Sequence, residues 1–168
     1  MGMTATRTSL PNVTLPDQSG DLRSLSELAG EDPLVLQTFR GHWCPKEQRF
    51  FRRLVALQDE LEVGYARLVS LSVDPPAVNA AYRDGLGARW TFLCDEERRV
   101  QRELALRETT DTYHDPYVPR VFVLFPDLTV VSEYDGYWFW GRPTLDDLVR
   151  DLREATRRLR PDFAAPTA

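Results

Sequence analysis

Cysteine and histidine are both scarce in this chain. Its 168 residues include two cysteines, Cys44 and Cys94, and two histidines. Two cysteines are too few to staple a secreted disulfide scaffold, and their separation matches no zinc spacing such as C-x-x-C. With so few histidines, we expect no metal site and no cofactor. The chemistry of each cysteine therefore has to be considered separately.

Positive charge and long apolar runs are also lacking. The net charge of −5 lacks the basic footprint of a nucleic-acid-binding protein. No stretch of 18 uninterrupted apolar residues occurs, and the polar residues 1–11 contain no apolar segment of the kind found in signal peptides. We therefore expect neither a nucleic-acid partner nor a membrane partner, and a cytoplasmic location.

The length and composition are those of one globular domain. Hydrophobic residues make up 42% of the chain and charged residues 28%, and no internal repeat is present. A chain of this length buries a sufficient core without disulfides. We predict a flexible N-terminus over residues 1–11, a domain over residues 12–160 and a frayed tail over residues 161–168.

Hydrophobic periodicity predicts alternating strands and helices. A turn-rich segment at residues 16–20 between two short β-prone segments predicts an N-terminal β-hairpin. Short apolar runs predict strands at 33–39, 66–73, 90–94, 120–125 and 129–134, and helical spacing predicts helices at 45–62, 77–86, 95–106 and 144–159. This order predicts an α/β fold with a central mixed β-sheet flanked by helices on both faces. By analogy, it is typical of the thioredoxin-like fold.

Cys44 lies where the chain passes from a predicted strand into a predicted helix, with Pro45 in the first helical turn. Free N–H groups and the helix dipole at that position favour the thiolate, which is the nucleophilic form of cysteine. Arg40, His42 and Lys46 are near in sequence and are candidates to add positive potential. The alternative is a buried cysteine acting as a small hydrophobic residue. The strand–turn–Cys-Pro–helix context favours a reactive thiol.

The segments FRGHWCPKE (39–47), VPRVFVLF (118–125) and GRPTLDDL (141–148) together resemble a known family. They are similar to the alkyl hydroperoxide reductase and thiol-specific antioxidant (AhpC/TSA) branch of the peroxiredoxins, in order from about residue 12 to residue 159. This resemblance implies a thioredoxin-like fold. It also implies that Cys44 is a peroxidatic cysteine, which a hydroperoxide oxidises to sulfenic acid and a second thiol restores.

The same resemblance assigns further site residues. Glu47 matches the family glutamate that follows Cys-Pro, which fixes an arginine near the thiolate, although an acidic residue is favourable in any first helical turn. Arg120 is the best match to the distant family arginine that stabilises the thiolate and orients the peroxide. However, Pro119 occupies the usual arginine position and resembles the cis-proline of thioredoxins. Arg40 and Arg142 are therefore alternatives to Arg120.

The chain departs from the family on the N-terminal side of Cys44. The family pattern Pro-x-x-x-Thr-x-x-Cys is replaced by Gln37 and Gly41 at the proline and threonine positions. The hydroxyl that contacts peroxide in the family is therefore absent. His42 is a candidate substitute donor, or a solvated histidine. Together with Arg40 and Pro119, Gly41 and His42 form the predicted substrate-binding set.

Regeneration of Cys44 is expected to need an external reductant. Glu47 stands where a C-x-x-C pair would have its second cysteine, so a local dithiol is excluded. A disulfide needs Cα atoms within about 7 Å, and the sequence gives no sign that Cys94 is so close, so we favour a structural or bystander role for it. The reductant is then a thioredoxin-like protein or a low-molecular-weight thiol.

Three alternatives stay open at this point. The site fits a peroxiredoxin-like peroxidase, a single-cysteine thiol–disulfide oxidoreductase or a non-catalytic redox-sensing or binding domain of the same fold.

The aromatic segment 134–140 is consistent with core cover, with a roof over the Cys44 pocket or with the surface of a homodimer.

Overall fold

The computed structural model describes residues 7–137 and 140–162 as an α/β domain. The strands are β1 (Thr14–Pro16), β2 (Leu22–Ser24), β3 (Leu34–Thr38), β4 (Arg67–Ser72), β5 (Thr91–Cys94), β6 (Arg120–Leu124) and β7 (Val130–Asp135). The helices are α1 (Leu25–Ala29), α2 (Pro45–Val63), α3 (Pro76–Leu86), α4 (Arg99–Glu103) and α5 (Leu145–Leu159). Most predicted elements are present, with ends that differ by one or two residues.

A five-stranded mixed sheet organises the domain. The strand order is β5-β4-β3-β6-β7, in which β3, β4 and β5 are parallel and β6 runs antiparallel to both β3 and β7. All residues of the central strand β3 are buried. Strands β1 and β2 form a separate antiparallel hairpin. The predicted mixed sheet and N-terminal hairpin are therefore confirmed.

Each face of the sheet carries its own hydrophobic core. Side chains alternate along a strand, so Val35 and Leu36 of β3 point to opposite faces. Leu36 belongs to the core that includes residues of α1, α4 and the hairpin. Val35 belongs to the core beneath α2 and α5, where Phe51 of α2 and Leu148 of α5 are fully buried. Helices thus cover both faces, as predicted.

Two helices differ from the sequence prediction. Helix α1 was not predicted, and it begins because the Ser24 side chain accepts a hydrogen bond from the Glu27 N–H. Helix α4 is shorter than the predicted 95–106. Asp95 does not start the helix; its carboxylate accepts the N–H groups of Arg99 and Gln101 from a preceding turn.

Packing begins earlier in the chain than predicted. Leu10 is buried and its N–H donates to the Leu128 carbonyl at 3.0 Å, so this residue of the predicted flexible N-terminus packs against the domain. Of the predicted termini, residues 1–6 and 163–168 lie outside the described residues. Among the described helices, none is long and apolar enough to cross a membrane.

Candidate active site

Cys44 lies at the start of α2, just beyond the end of the central strand. Its N–H donates to the Gly41 carbonyl at 3.2 Å, and its own carbonyl accepts the Gln48 N–H at 3.1 Å. These bonds make Cys44 the N-cap residue, with Pro45 in the first helical turn. The side chain makes no capping hydrogen bond and is 3% exposed. Its sulfur is therefore held at the positive end of a 19-residue helix.

Cationic side chains surround the mouth of this site. The Nη1 atom of Arg40 lies 3.9 Å from the Cys44 sulfur. Cys44 opens into a cavity of about 390 Å³ that Arg40, Lys46 and Arg142 line. The remaining lining residues are Glu108, Thr110, Pro119, Gly136 and Tyr137. Positive charge close to a thiol favours the thiolate.

Glu47 holds Arg142 at this cavity. An ion pair of 2.6 Å joins Glu47 Oε1 to Arg142 Nη2, and Glu47 is completely buried. Burial raises the pKa of Glu47, although the neighbouring Arg142 guanidinium opposes the shift. Arg142 also donates from Nη1 to the Gly136 carbonyl at 3.0 Å. The arginine that Glu47 holds at the Cys44 cavity is therefore Arg142.

Arg120 is engaged elsewhere. Its guanidinium pairs with Glu133 at 2.6 Å and with Asp135 at 3.3 Å, both on β7, and it is not among the residues that line the Cys44 cavity. Pro119 does line the cavity. Because consecutive residues of an extended segment point to opposite faces, Arg120 faces away when Pro119 faces the cavity.

The backbone at Pro119 differs from the cis-proline that its position resembles. No cis peptide bond occurs among the described residues, so Pro119 follows a trans bond. Thr38 at the end of β3 fixes the segment: its hydroxyl donates to the Val118 carbonyl at 2.8 Å and accepts the Arg120 N–H at 3.0 Å. Pro119 is thereby held as part of the cavity wall.

The turn before Cys44 explains the absence of a threonine side chain. Gly41 has a φ of +154°, and a Cβ built there would overlap the Trp43 indole. Trp43 therefore occupies the space that a side chain at position 41 would need. The His42 side chain is exposed and does not line the cavity. Its backbone carbonyl accepts a hydrogen bond from Gln48 Nε2.

Two acidic residues at the site were not predicted from the sequence. Glu108 and Asp111 lie in the loop 107–119 and pair with Arg40 at 3.5 and 3.0 Å. His114 of the same loop stacks on Trp43, with ring centroids 3.8 Å apart. The sequence showed only a polar loop, because nothing in its spacing relates it to a residue about 70 positions earlier.

Cys94 occupies a different environment at the end of β5. Asn79 Nδ2 donates to its sulfur at 3.3 Å, and the residue is 2% exposed. Burial raises the pKa of Cys94 to about 11. Both cysteines are free thiols.

The described residues of the aromatic segment 134–140 lie in different environments. The Tyr134 hydroxyl donates to Asp151 at 2.5 Å, which joins β7 to α5. Tyr137 lines the Cys44 cavity, and Trp140 is 95% exposed. Residues 138–139 lie outside the described residues.

In the part of the chain that the structure describes, no three acidic, histidine or cysteine side chains are grouped to hold a metal ion.

Comparison with solved structures identifies the fold. Solved structures with the same fold include peroxidoxin BcpB from Mycobacterium tuberculosis, at 20% identity and a TM-score of 0.72, covering 93% of this chain and 96% of that one. Reduced Prx3 from Vibrio vulnificus in complex with hydrogen peroxide matches at 19% identity and a TM-score of 0.75, over 90% and 97% of the two chains. The domain therefore has the predicted thioredoxin-like fold.

A family assignment follows from the sequence comparison. Residues 6–132 match the AhpC/TSA family. The chain belongs to the AhpC/TSA family, which confirms the resemblance drawn from the segments around Cys44. No curated protein matches the chain.

Proposed function

We propose that this protein is a thiol-dependent peroxidase that reduces hydroperoxides through Cys44. The observation that carries the proposal is the position of the sulfur: it lies at a helix N-terminus, opens into a cavity, and has an arginine Nη1 3.9 Å away. A thiolate at this position has both the electrostatic stabilisation and the access that attack on a small substrate requires. Membership of the AhpC/TSA family supports the same activity.

The first half of the proposed cycle takes place between the Cys44 thiolate and the hydroperoxide. The Cys44 thiolate attacks one peroxide oxygen, an S–O bond forms and the O–O bond breaks. The leaving oxygen departs as an alkoxide or hydroxide and takes up a proton to become an alcohol or water. Cys44 is oxidised to sulfenic acid and the hydroperoxide is reduced.

Arg40 and Arg142 are the groups that we assign to orienting the peroxide. Negative charge develops on the leaving oxygen, and guanidinium N–H donors aimed at that position lower the barrier. Glu47 supports this role by holding Arg142 at 2.6 Å. A peroxide bound between the two arginines would present one oxygen to the sulfur and the other to N–H donors.

An external thiol would complete the cycle. A first thiol condenses with the sulfenic acid, releasing water and forming a mixed disulfide, and a second thiol then releases reduced Cys44. The hydrogen-bonded, buried Cys94, with its raised pKa, is a poor candidate for the resolving role. The reductant is therefore proposed to be a thioredoxin-like protein or a low-molecular-weight thiol, in keeping with the cytoplasmic location expected from the sequence.

Trapping the sulfenic acid tests this function. The reduced protein receives one equivalent of hydrogen peroxide in the presence of dimedone, and peptide mass spectrometry locates the adduct. We expect the adduct on Cys44, its loss in Cys44→Ser, and its retention in the matched variant Cys94→Ser. Peroxide consumption that persists in Cys44→Ser would contradict the proposal.

Thiol–disulfide exchange by Cys44 alone is a second candidate. The observation that favours it is the Gly41 turn, which offers no hydroxyl to a peroxide. Under this alternative, oxidised glutathione forms a mixed disulfide at Cys44 without peroxide, while peroxide turnover is negligible. Slow reaction with both reagents would instead favour a sensing or binding domain.

A further inference from the structure

The Arg40 guanidinium faces the Cys44 sulfur, and its position depends on contacts outside its own turn. Nη1 faces the sulfur at 3.9 Å, whereas Nη2 faces two carboxylates of the loop 107–119. Its Nε is buried and has no hydrogen-bond partner among the described residues. Among the hydrogen-bonding contacts of the guanidinium, those at Nη2 are therefore the ones made to charged protein groups.

Of the two carboxylates, Asp111 holds Arg40 more closely. Its Oδ2 lies 3.0 Å from Nη2, whereas Glu108 Oε2 lies 3.5 Å away. The other Glu108 oxygen is already occupied, because it accepts both the backbone N–H and the hydroxyl of Thr110. By distance, Asp111 is thus the closer partner of Arg40.

Asp111 is itself fixed by His114. Asp111 Oδ1 accepts the His114 backbone N–H at 3.0 Å, and Oδ2 lies 2.8 Å from His114 Nδ1. The backbone hydrogen bond lowers the pKa of Asp111, so the carboxylate is ionised at neutral pH. One aspartate therefore links the histidine and the arginine.

Aromatic stacking connects the loop 107–119 to the turn before Cys44. The His114 and Trp43 rings are nearly parallel, and the Arg40 guanidinium carbon lies 4.8 Å from the centre of the Trp43 ring. Arg98 anchors the other side of the loop by donating to the His114 and Asp115 carbonyls at 3.1 Å. Trp43 precedes Cys44 directly, so the loop is tied to the residue beside the reacting sulfur.

We propose that Asp111 is a positioning residue that holds Arg40 at Cys44, with the His114–Trp43 stack fixing its loop in place. This inference rests on the proposed function, because orienting Arg40 matters only if Cys44 reacts. Asp111 is not among the residues that line the Cys44 cavity, so it acts through Arg40. Arg40, in the turn before Cys44, is thus held in position by a loop far along the chain.

A double-mutant cycle tests the proposal. The second-order rate of Cys44 with hydrogen peroxide is measured in the wild type, Arg40→Gln, Asp111→Ala and the double variant. We expect losses of ~100-fold for Arg40→Gln and ~10-fold for Asp111→Ala, with the double variant within ~2-fold of Arg40→Gln. The Asp111→Ala loss should persist at the high-pH plateau where Cys44 is fully ionised, because the orientation of Arg40 is still disturbed.

A matched control separates this role from general support of the loop. Asp115 lies in the same loop and pairs with Arg107 and Arg98 but not with Arg40. We expect Asp115→Asn to change the rate by less than ~2-fold. Losses that multiply in the double variant, or no loss in Asp111→Ala, would overturn the proposal. If Asp111→Ala does not fold, Asp111→Asn, which keeps an acceptor for the His114 N–H, replaces it in the cycle.

The design also distinguishes this inference from the proposed function. If the wild type does not react with peroxide, the proposed function fails, and the same cycle is run with iodoacetamide, which reacts with any accessible thiolate. Non-additive losses in that cycle would support Asp111 as the positioning residue of Arg40. Additive losses would overturn it for either chemistry.

Discussion

The two cysteines are equally buried but have different neighbours. Cys44 is 3% exposed and Cys94 is 2% exposed, so burial alone does not distinguish them. Cys44 lies at a helix start beside Arg40 and opens into a cavity, whereas Cys94 accepts a hydrogen bond from Asn79 at the end of β5. The difference shows that the charge and access around a sulfur, rather than its exposed area, determine its expected chemistry.

The largest expected difference is in the alkylation of the native protein. At pH 7, a thiol with a pKa of about 11 is only ~10⁻⁴ ionised, which is the situation expected for Cys94. We predict that iodoacetamide labels Cys44 at least ~100-fold faster than Cys94, as followed by peptide mass spectrometry. In urea, where both environments are lost, the two rates should converge. Comparable native alkylation rates for the two cysteines would contradict this prediction.

Arg120 and Arg142, the two candidates from later in the chain, also differ in their contacts. Arg142 lines the cavity, whereas Arg120 pairs with Glu133 and Asp135. We predict that Arg142→Gln slows the reaction of Cys44 with peroxide by ~10- to 100-fold, while Arg120→Gln changes it by less than ~3-fold and mainly lowers the melting temperature. Stopped-flow kinetics and thermal unfolding separate the two effects. A larger kinetic loss in Arg120→Gln would reverse the assignment.

The turn before Cys44 offers a smaller effect. Gly41→Ala introduces a Cβ that overlaps the Trp43 indole at a backbone angle that side chains rarely adopt, so we predict a fall of ~5 °C in melting temperature. Gly85→Ala is the matched control, because a Cβ there has no neighbour within 4 Å and α3 favours alanine. An unchanged melting temperature in Gly41→Ala would show that the turn adapts readily.

The sequence was sufficient for the fold and for the position of Cys44. Both depend on local signals: hydrophobic periodicity gives the strands and helices, and the Cys-Pro pair marks the start of α2. It did not give the partners of Arg40, because Asp111 is 71 positions away in the chain. Nor did it separate Arg120 from Arg142, since which face of a segment points to the cavity depends on tertiary register.

The smallest predicted effect concerns Glu47 and the pH dependence of stability. Burial raises its pKa above the ordinary value of 4.5, so the folded protein holds this proton at a pH where the unfolded chain has released it. The unfolded state then binds fewer protons, and the Glu47 contribution to the free energy of unfolding falls as pH rises above about 4.5.

Glu47→Gln keeps the shape and an acceptor for Arg142 but removes the ionisation. We predict that the wild type loses stability relative to Glu47→Gln as pH rises from 4.5 towards neutrality, as measured by urea unfolding at each pH. Subtracting the two curves removes the contributions of the other acids, because they are common to both proteins. The opposite slope would mean that the Arg142 ion pair outweighs burial and lowers the pKa of Glu47 below that of the unfolded chain.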